Sequence, residues 1–273
     1  MKGPELAKVS LMKMESPLLL TVDIGNSNVT FGVFESHRLV KTFRTITQQS
    51  LSSYDYSKEI KNHLSGYLQQ GAKWQGAVIC SVVKPLTSLL TDTCSEILEL
   101  PVMTITHDSI TGISIHTENP SETGTDRIVN AAAAYARYGG PCVVVDMGTA
   151  TTFDVVTEYG VFLGGAIVAG LGLMAESLHT RTSQLPMISL EMPEKSIGRN
   201  TTSAMQSGVV LGYIALIEGL LKRIEHELGQ QPKIILTGGY AELFRNSFSF
   251  SSYFSPHLTL EGCKMIFELN TDF

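Results

Sequence analysis

The chain has 273 residues, 43% hydrophobic and 17% charged, with a formal net charge of −6; this suffices for one large domain or two smaller ones, and with no Lys/Arg run it argues against a nucleic-acid backbone binder. Four scattered cysteines (Cys80, Cys94, Cys142, Cys263) make no CxxC pair and seven histidines show no ligand spacing, so a disulfide framework and a zinc site are not expected. Buried, reduced thiols fit a cytoplasmic protein.

Residues 1–17 lack the apolar core of a signal peptide and are expected to form a disordered extension. LLLTVDI (18–24) reads as a strand, and after a turn Val29, Phe31 and Val33 alternate with period two as a second. A third follows at 39–45. SYDYSKEIKNHLSGYLQQG predicts a helix ending at Gly71, WQGAVICSVV a strand, PLTSLLTDTCSEILEL a helix with proline at its start, and PVMTITHD another strand. The pattern then restarts. DRIVNAAAAYARYGG predicts a helix, PCVVVDMGTATTFDVV strand, turn and strand, and VFLGGAIVAGLGLMAESL a glycine-punctuated strand leading into a helix. Residues 202–229 predict one long helix, and KIILTGGYAELF a strand, glycine turn and helix. The apolar stretch 208–221 is too short to span a bilayer and carries Glu218, so no membrane is expected. With no low-complexity linker between them, the halves are expected to pack closely.

The repeat is the strongest internal signal. LTVDIGNSNVTFGVF and VVVDMGTATTFDVV share a layout in which an apolar strand ends at Asp (Asp23, Asp146) and Gly follows two residues later (Gly25, Gly148). Small hydroxyl or amide residues come next, then a new strand. Glycine lets backbone N–H groups approach phosphate oxygens. Asn26, Ser27 and Asn28, with Thr149, Thr151 and Thr152, add side-chain donors, and Asp23 supplies a hard oxygen suited to Mg²⁺ on a triphosphate. No GxGxxG opens a helix after the first strand, which favours ATP over NAD. TGG (237–239) is a third glycine site. In GTDR, Asp126 and Arg127 fall in the first turn of a helix. An acid there suits the helix dipole; in a nucleotide cleft Asp126 can instead accept a hydroxyl proton while Arg127 fixes substrate oxygens. The dipole opposes a raised pKa, so its expected role is weak proton acceptance and orientation.

DIGNSN, GTDR, DMGTATT, GGAIVAG, GRNT with AMQSG, and TGG occur in this order from about Leu18 to the C-terminus. Together they closely resemble type III pantothenate kinase, of the acetate kinase/hsp70/actin-like superfamily. The resemblance implies an α/β fold of two tandem duplicated actin-like (ribonuclease H-like) lobes, 18–125 and 126–273, each with a mixed five-stranded sheet and flanking helices. It implies ATP-dependent phosphorylation of the primary hydroxyl of pantothenate to 4'-phosphopantothenate, the first step of coenzyme A synthesis. It implies ATP contacts at Asp23, Ile24, Gly25, Asn26, Ser27, Asn28, Val29, Thr30 and Thr149, with Mg²⁺ on Asp23 through the nucleotide. It also implies Asp126 as proton acceptor and pantothenate contacts at Thr117, Gly124, Thr125, Asp126, Arg127 and Thr201. A monovalent cation, K⁺ or NH₄⁺, is implied at Asp146, and a homodimer beside the substrate pocket. The family commonly has Tyr where this chain has Thr117, so an aromatic wall of the pocket is expected to be missing or supplied elsewhere. Met205, Val209, Gly212 and Leu216 form one stripe of the long helix, with Gly208 on its flank, and this is the expected dimer stripe, packing on the chain's own core being the alternative. A regulator related to the Bvg accessory factor and a sugar or acetate kinase of the superfamily are the alternatives.

Overall fold

The computed structural model describes residues 16–48 and 50–271, so most of the expected N-terminal extension lies outside the described residues. In chain order the elements are β1 (Leu18–Ile24), β2 (Asn28–Glu35), β3 (Arg38–Ile46), α1 (Ser53–Gln69), β4 (Trp74–Ser81), α2 (Lys84–Leu98), β5 (Val102–Thr104) and β6 (Ser114–Ile115). They continue with α3 (Thr125–Tyr138), β7 (Cys142–Met147), β8 (Ala150–Val156), β9 (Val161–Ala169), α4 (Leu171–Arg181), α5 (Thr201–Gln206), α6 (Gly212–Leu228), β10 (Lys233–Thr237), α7 (Ala241–Phe244), β11 (Tyr253–Phe254) and α8 (Leu258–Asn270).

The strands form two mixed sheets, ordered β3-β2-β1-β4-β5 and β11-β10-β7-β8-β9-β6. In both, two antiparallel hairpins feed a parallel extension: β1 pairs antiparallel with β2 and parallel with β4, as β7 does with β8 and β10. The second sheet has six strands where five were expected. The extra strand, β6, pairs with β9 although the expected boundary puts residues 114–115 in the first lobe.

Strand parity decides what faces what. Leu18, Leu20, Val22 and Ile24 turn to one face and pack with Tyr56, Ile60 and Leu64 of α1 and Leu86 and Leu90 of α2. Leu19 turns to the other face, toward Val129 of α3 and Leu260, Cys263 and Ile266 of α8. On β7, Val143, Val145 and Met147 pack with Val209, Tyr213 and Ile217, while Cys142 and Val144 face Ala131 and Ala134 of α3. Helix α3 therefore lies between the two sheets, and α8, the last helix in the chain, returns to cover the first. By the same alternation Asp23 and Asp146 both point into this middle layer.

The long helix is interrupted. A π-helical turn, Ser207–Leu211, joins α5 to α6. The extra residue per turn shifts the helix register, and Met205 and Val209 of the expected dimer stripe face the protein's own core, with Leu216 packed against it. The outward face carries small residues, Gly212 of the expected stripe among them: Ala204, Gly208, Gly212, Ala215 and Gly219. Residues 201–228 are long and apolar enough to cross a membrane by composition, but their inner side chains belong to the core. All four cysteines are free and buried.

Candidate active site

The two Asp-ended hairpins meet. Ser27 Oγ and Thr149 Oγ1, from the two turns, lie 2.7 Å apart in a hydrogen bond. The first turn is closed by Gly25 N–H donating to the Asn28 carbonyl (3.0 Å) and braced by the Thr47 hydroxyl donating to the Gly25 carbonyl (2.7 Å). Ile24 and Val29 are fully buried in the first core, so only their backbones can face a ligand. Asn26 and Ser27 are exposed, Asn28 and Thr30 partly so. Two of the expected donors of the second turn are otherwise engaged: Thr151 hydrogen-bonds the Tyr213 hydroxyl (2.6 Å) and Thr152 donates to Asp154 (2.9 Å). Parity explains both, since Thr151 points to the α6 side of the sheet and Thr152 to the α3 side. Thr149 alone of the three is exposed at the turn.

Between the turns stands the start of α3. Thr125 ties it down by donating to the Ser81 carbonyl at the end of β4 (2.9 Å). Asp126 accepts from the Arg127 N–H (2.8 Å). Its carboxyl is nonetheless raised above the ordinary range, because burial outweighs that bond and the Arg127 charge. The expectation that the helix dipole would hold it down is thus corrected: desolvation is the larger effect here. Burial, Asp126 and Asp146 push Asp23 up to about 8, and burial and Asp126 push Asp146 to about 6.

Asp146 is anchored and Asp23 is not. Asn130 Nδ2 donates to Asp146 Oδ2 (2.9 Å), and the Thr259 hydroxyl of α8 in turn donates to Asn130 Oδ1 (2.8 Å). Gly238, at φ +92°, backs onto this carboxylate; a Cβ there would stand 2.4 Å from Asp146 Oδ1 and 2.5 Å from the Met147 nitrogen. The TGG motif is therefore needed for close approach of β10's end to β7's end. Sequence reasoning passed over Asn130 and Asp154, although both carried a signal. Asn130 is one helical turn after Asp126 in an alanine-rich helix, and Asp154 is an acid between Phe153 and Val155 in a strand; buried polar groups there require partners.

Arg127 turns away from Asp126 to Asp154, with Nε 2.6 Å from Oδ1. Its Nη2 is buried without a hydrogen-bond partner. Thr117 lies nearby: its hydroxyl meets that of Thr123 (3.3 Å), and a Cβ on Gly164 would stand 3.6 Å from its methyl. Thr201 is elsewhere. It opens α5 behind the Asn200 cap and lines a groove of about 1090 Å³ with Arg181, Arg199, Met205 and Ala169. Neither Asp126 nor Arg127 lines that groove.

Asp126 raising the proton affinity of Asp23 and Asp146 marks a site that suits a cation, and hard carboxylate oxygens suit Mg²⁺ or K⁺ rather than a soft metal. Among the described residues no cluster of three or more metal-ligating side chains closes a cage. The arrangement fits ions that take part of their coordination from phosphate.

A profile of type III pantothenate kinases matches residues 19–223. The type III pantothenate kinase of Dehalococcoides mccartyi strain CBDB1 is 40% identical over 252 residues, covering 92% of this chain and 96% of that protein. Among solved structures, a Baf family transcriptional activator from Campylobacter jejuni aligns with a TM-score of 0.57 at 23% identity, covering 91% of this chain and 97% of that one. MreB5 of Spiroplasma citri, bound to ADP, aligns at 0.53 and 12% identity, covering 93% and 97%. These two share the fold. The sequence relatives do not favour a regulator or a sugar kinase. This chain belongs to the type III pantothenate kinase family, and it phosphorylates pantothenate with ATP and a divalent metal in coenzyme A biosynthesis.

Proposed function

We propose that phosphoryl transfer from ATP to pantothenate, giving 4'-phosphopantothenate, takes place where the two turns meet the start of α3. The carrying observation is the group of three carboxylates there, in which Asp126 raises the proton affinity of both Asp23 and Asp146, and Asp146 that of Asp23. The turn Gly25–Asn28, with Thr30 and Thr149, takes the ATP phosphates; Asp23 faces their Mg²⁺, and Asp146 a monovalent cation, K⁺ or NH₄⁺. When bound, these cations offset the phosphate charge. Asp126 accepts the proton of the pantothenate hydroxyl, and its raised proton affinity suits that task. Arg127, with Gly124, Thr125 and Thr117, holds the acceptor, and the partial exposure of the Arg127 side chain beside Asp126 supports this. Phosphoryl transfer depends mostly on such positioning and charge stabilisation.

Asp126→Asn tests the assignment. Turnover should fall by about 10²–10⁴ while calorimetric ATP affinity stays near wild type and pantothenate affinity drops little. A loss below about tenfold leaves Asp126 as a helix-start acid.

We read the two sheets as duplicated actin-like lobes divided near residue 125, with α8 crossing back to the first, in a cytoplasmic homodimer that binds neither nucleic acid nor membrane. Support for the dimer comes from the exposed small-residue face of the long helix and from the exposed Leu178, which lines one groove with Ala204 and Gly208. Thr201, remote from Asp126 within one chain, would then serve a pocket completed at the interface. Gly212 has open space around it, so Gly212→Arg should yield a folded monomer by sedimentation where wild type sediments as a dimer.

A further inference from the structure

Arg127 and Asp154 form the one ion pair among the described residues in which a partner is fully buried. Such a pair is costly to desolvate and is held only by good geometry and full hydrogen bonding. Asp154 meets that condition: Oδ1 accepts from Arg127 Nε at 2.6 Å, and Oδ2 accepts from the Thr152 hydroxyl at 2.9 Å. Arg127 does not. An arginine placed only to stabilise the interior tends to close a two-pronged fork on its carboxylate. Here Nε is used and Nη2 is left buried and unpartnered, which is a destabilising arrangement in the free protein. The guanidinium is also held sideways, with its carbon 5.8 Å from the centre of the Phe162 ring and Nη2 facing Gly165, where a Cβ would stand at 3.4 Å. Asp154, Phe162 and Gly165 come from β8 and β9, so two strands of the second sheet fix a side chain that originates on α3 beside Asp126.

We propose that Asp154 is a positioning residue for the phosphoryl acceptor: with Thr152 it clamps Arg127 through Nε, so that the guanidinium, whose side chain stays 15% exposed, is held in place for an oxygen of pantothenate. This rests on the reading that Arg127 contacts pantothenate. The clamp sets the acceptor's orientation relative to Asp126, one residue before Arg127, and a small displacement of an aligned acceptor is expensive in rate. ATP, held by the two turns, does not depend on it.

The test is a double-mutant cycle on the full enzyme with Asp154→Asn, Arg127→Gln and the pair, together with Thr152→Val. KM for each substrate, kcat and thermal unfolding are read for every variant. Asp154→Asn should raise the pantothenate KM by about 10- to 100-fold and leave the ATP KM within about twofold. Thr152→Val, which frees one oxygen of the clamp, should raise the pantothenate KM by about two- to tenfold, and it carries the test if Asp154→Asn does not fold. In the Arg127→Gln background, Asp154→Asn should add nothing to the pantothenate KM. A raised KM in Arg127→Gln with no change in Asp154→Asn and Thr152→Val overturns the positioning role alone. So does a rise that affects ATP and pantothenate equally. An unchanged KM in Arg127→Gln overturns the Arg127 contact, and the positioning role with it.

Discussion

The two hairpins begin as near copies and end as different instruments. Each strand brings an aspartate into the layer occupied by α3, next to a turn rich in small residues. Asp146 finds Asn130 there, itself held by Thr259. No donor among the described residues meets the Asp23 carboxylate, which retains its proton up to about pH 8, against about 6 for Asp146. A fixed hydrogen bond to the charged form offsets part of the burial penalty. It also fixes where the charge sits. The anchored acid suits an ion that stays with the protein, and the unanchored one suits an ion that arrives with the nucleotide.

Removing the unanchored acid should have the larger effect. Asp23→Asn keeps the shape and loses the charge, and turnover should fall by about 10²–10³, with the Mg²⁺ needed for half-maximal rate raised and the fold intact. Wild-type kinetics at low Mg²⁺ would return the first hairpin to ordinary turn chemistry.

The contrast itself can be erased from the other side. Asn130→Ala takes away the anchor without touching either acid. Asp146 should then hold its proton more tightly, closer to Asp23, and the K⁺ concentration for half-maximal activation should rise by about 10- to 100-fold. Because Asp23 receives nothing from Asn130, the Mg²⁺ dependence should stay put. Equal rates of wild type in sodium and potassium buffers would show that the anchor serves no cation.

The smallest effect is on stability. Asp23, Asp146 and Asp154, at about 8, 6 and 7, all stand above the usual 3.8. The folded protein therefore binds more protons than the unfolded chain between about pH 4 and pH 8, so stability falls as pH rises through this window. Asp55 and Glu218, whose carboxyls are lowered by hydrogen bonds to Ser52 and Ser249, act in the opposite sense at the surface. The melting temperature in buffer free of Mg²⁺ and K⁺ should decline by several degrees from pH 5 to pH 8, and MgATP with K⁺ should lessen the decline. A melting temperature that climbs over this range contradicts the buried charges.

Much was legible in the chain because it is local. Period-two alternation marked β2, apolar runs ending at an aspartate marked β1 and β7, glycine after each aspartate marked the turns, and the order of short motifs marked the family. The sequence alone could also locate Asp23, Asp126 and Asp146, since each ends or begins an element and needs no knowledge of its neighbours.

What lay beyond it depends on contacts between distant segments. Whether Thr151 and Thr152 remain free for phosphate is decided by which sheet face each meets, Tyr213 on one and Asp154 on the other. The direction in which Arg127 points is set by a strand 27 residues on. Asp126's proton affinity follows from burial between two sheets, which overrides the local pull of its own helix. The stripe that spacing puts on one face of the long helix is split, Met205 and Val209 turning inward and Gly212 outward, because a π-helical turn shifts the register between them. Motif and periodicity fix a residue's place along an element; its charge state and partners come from the elements packed against it, because desolvation and hydrogen bonding are set by three-dimensional surroundings.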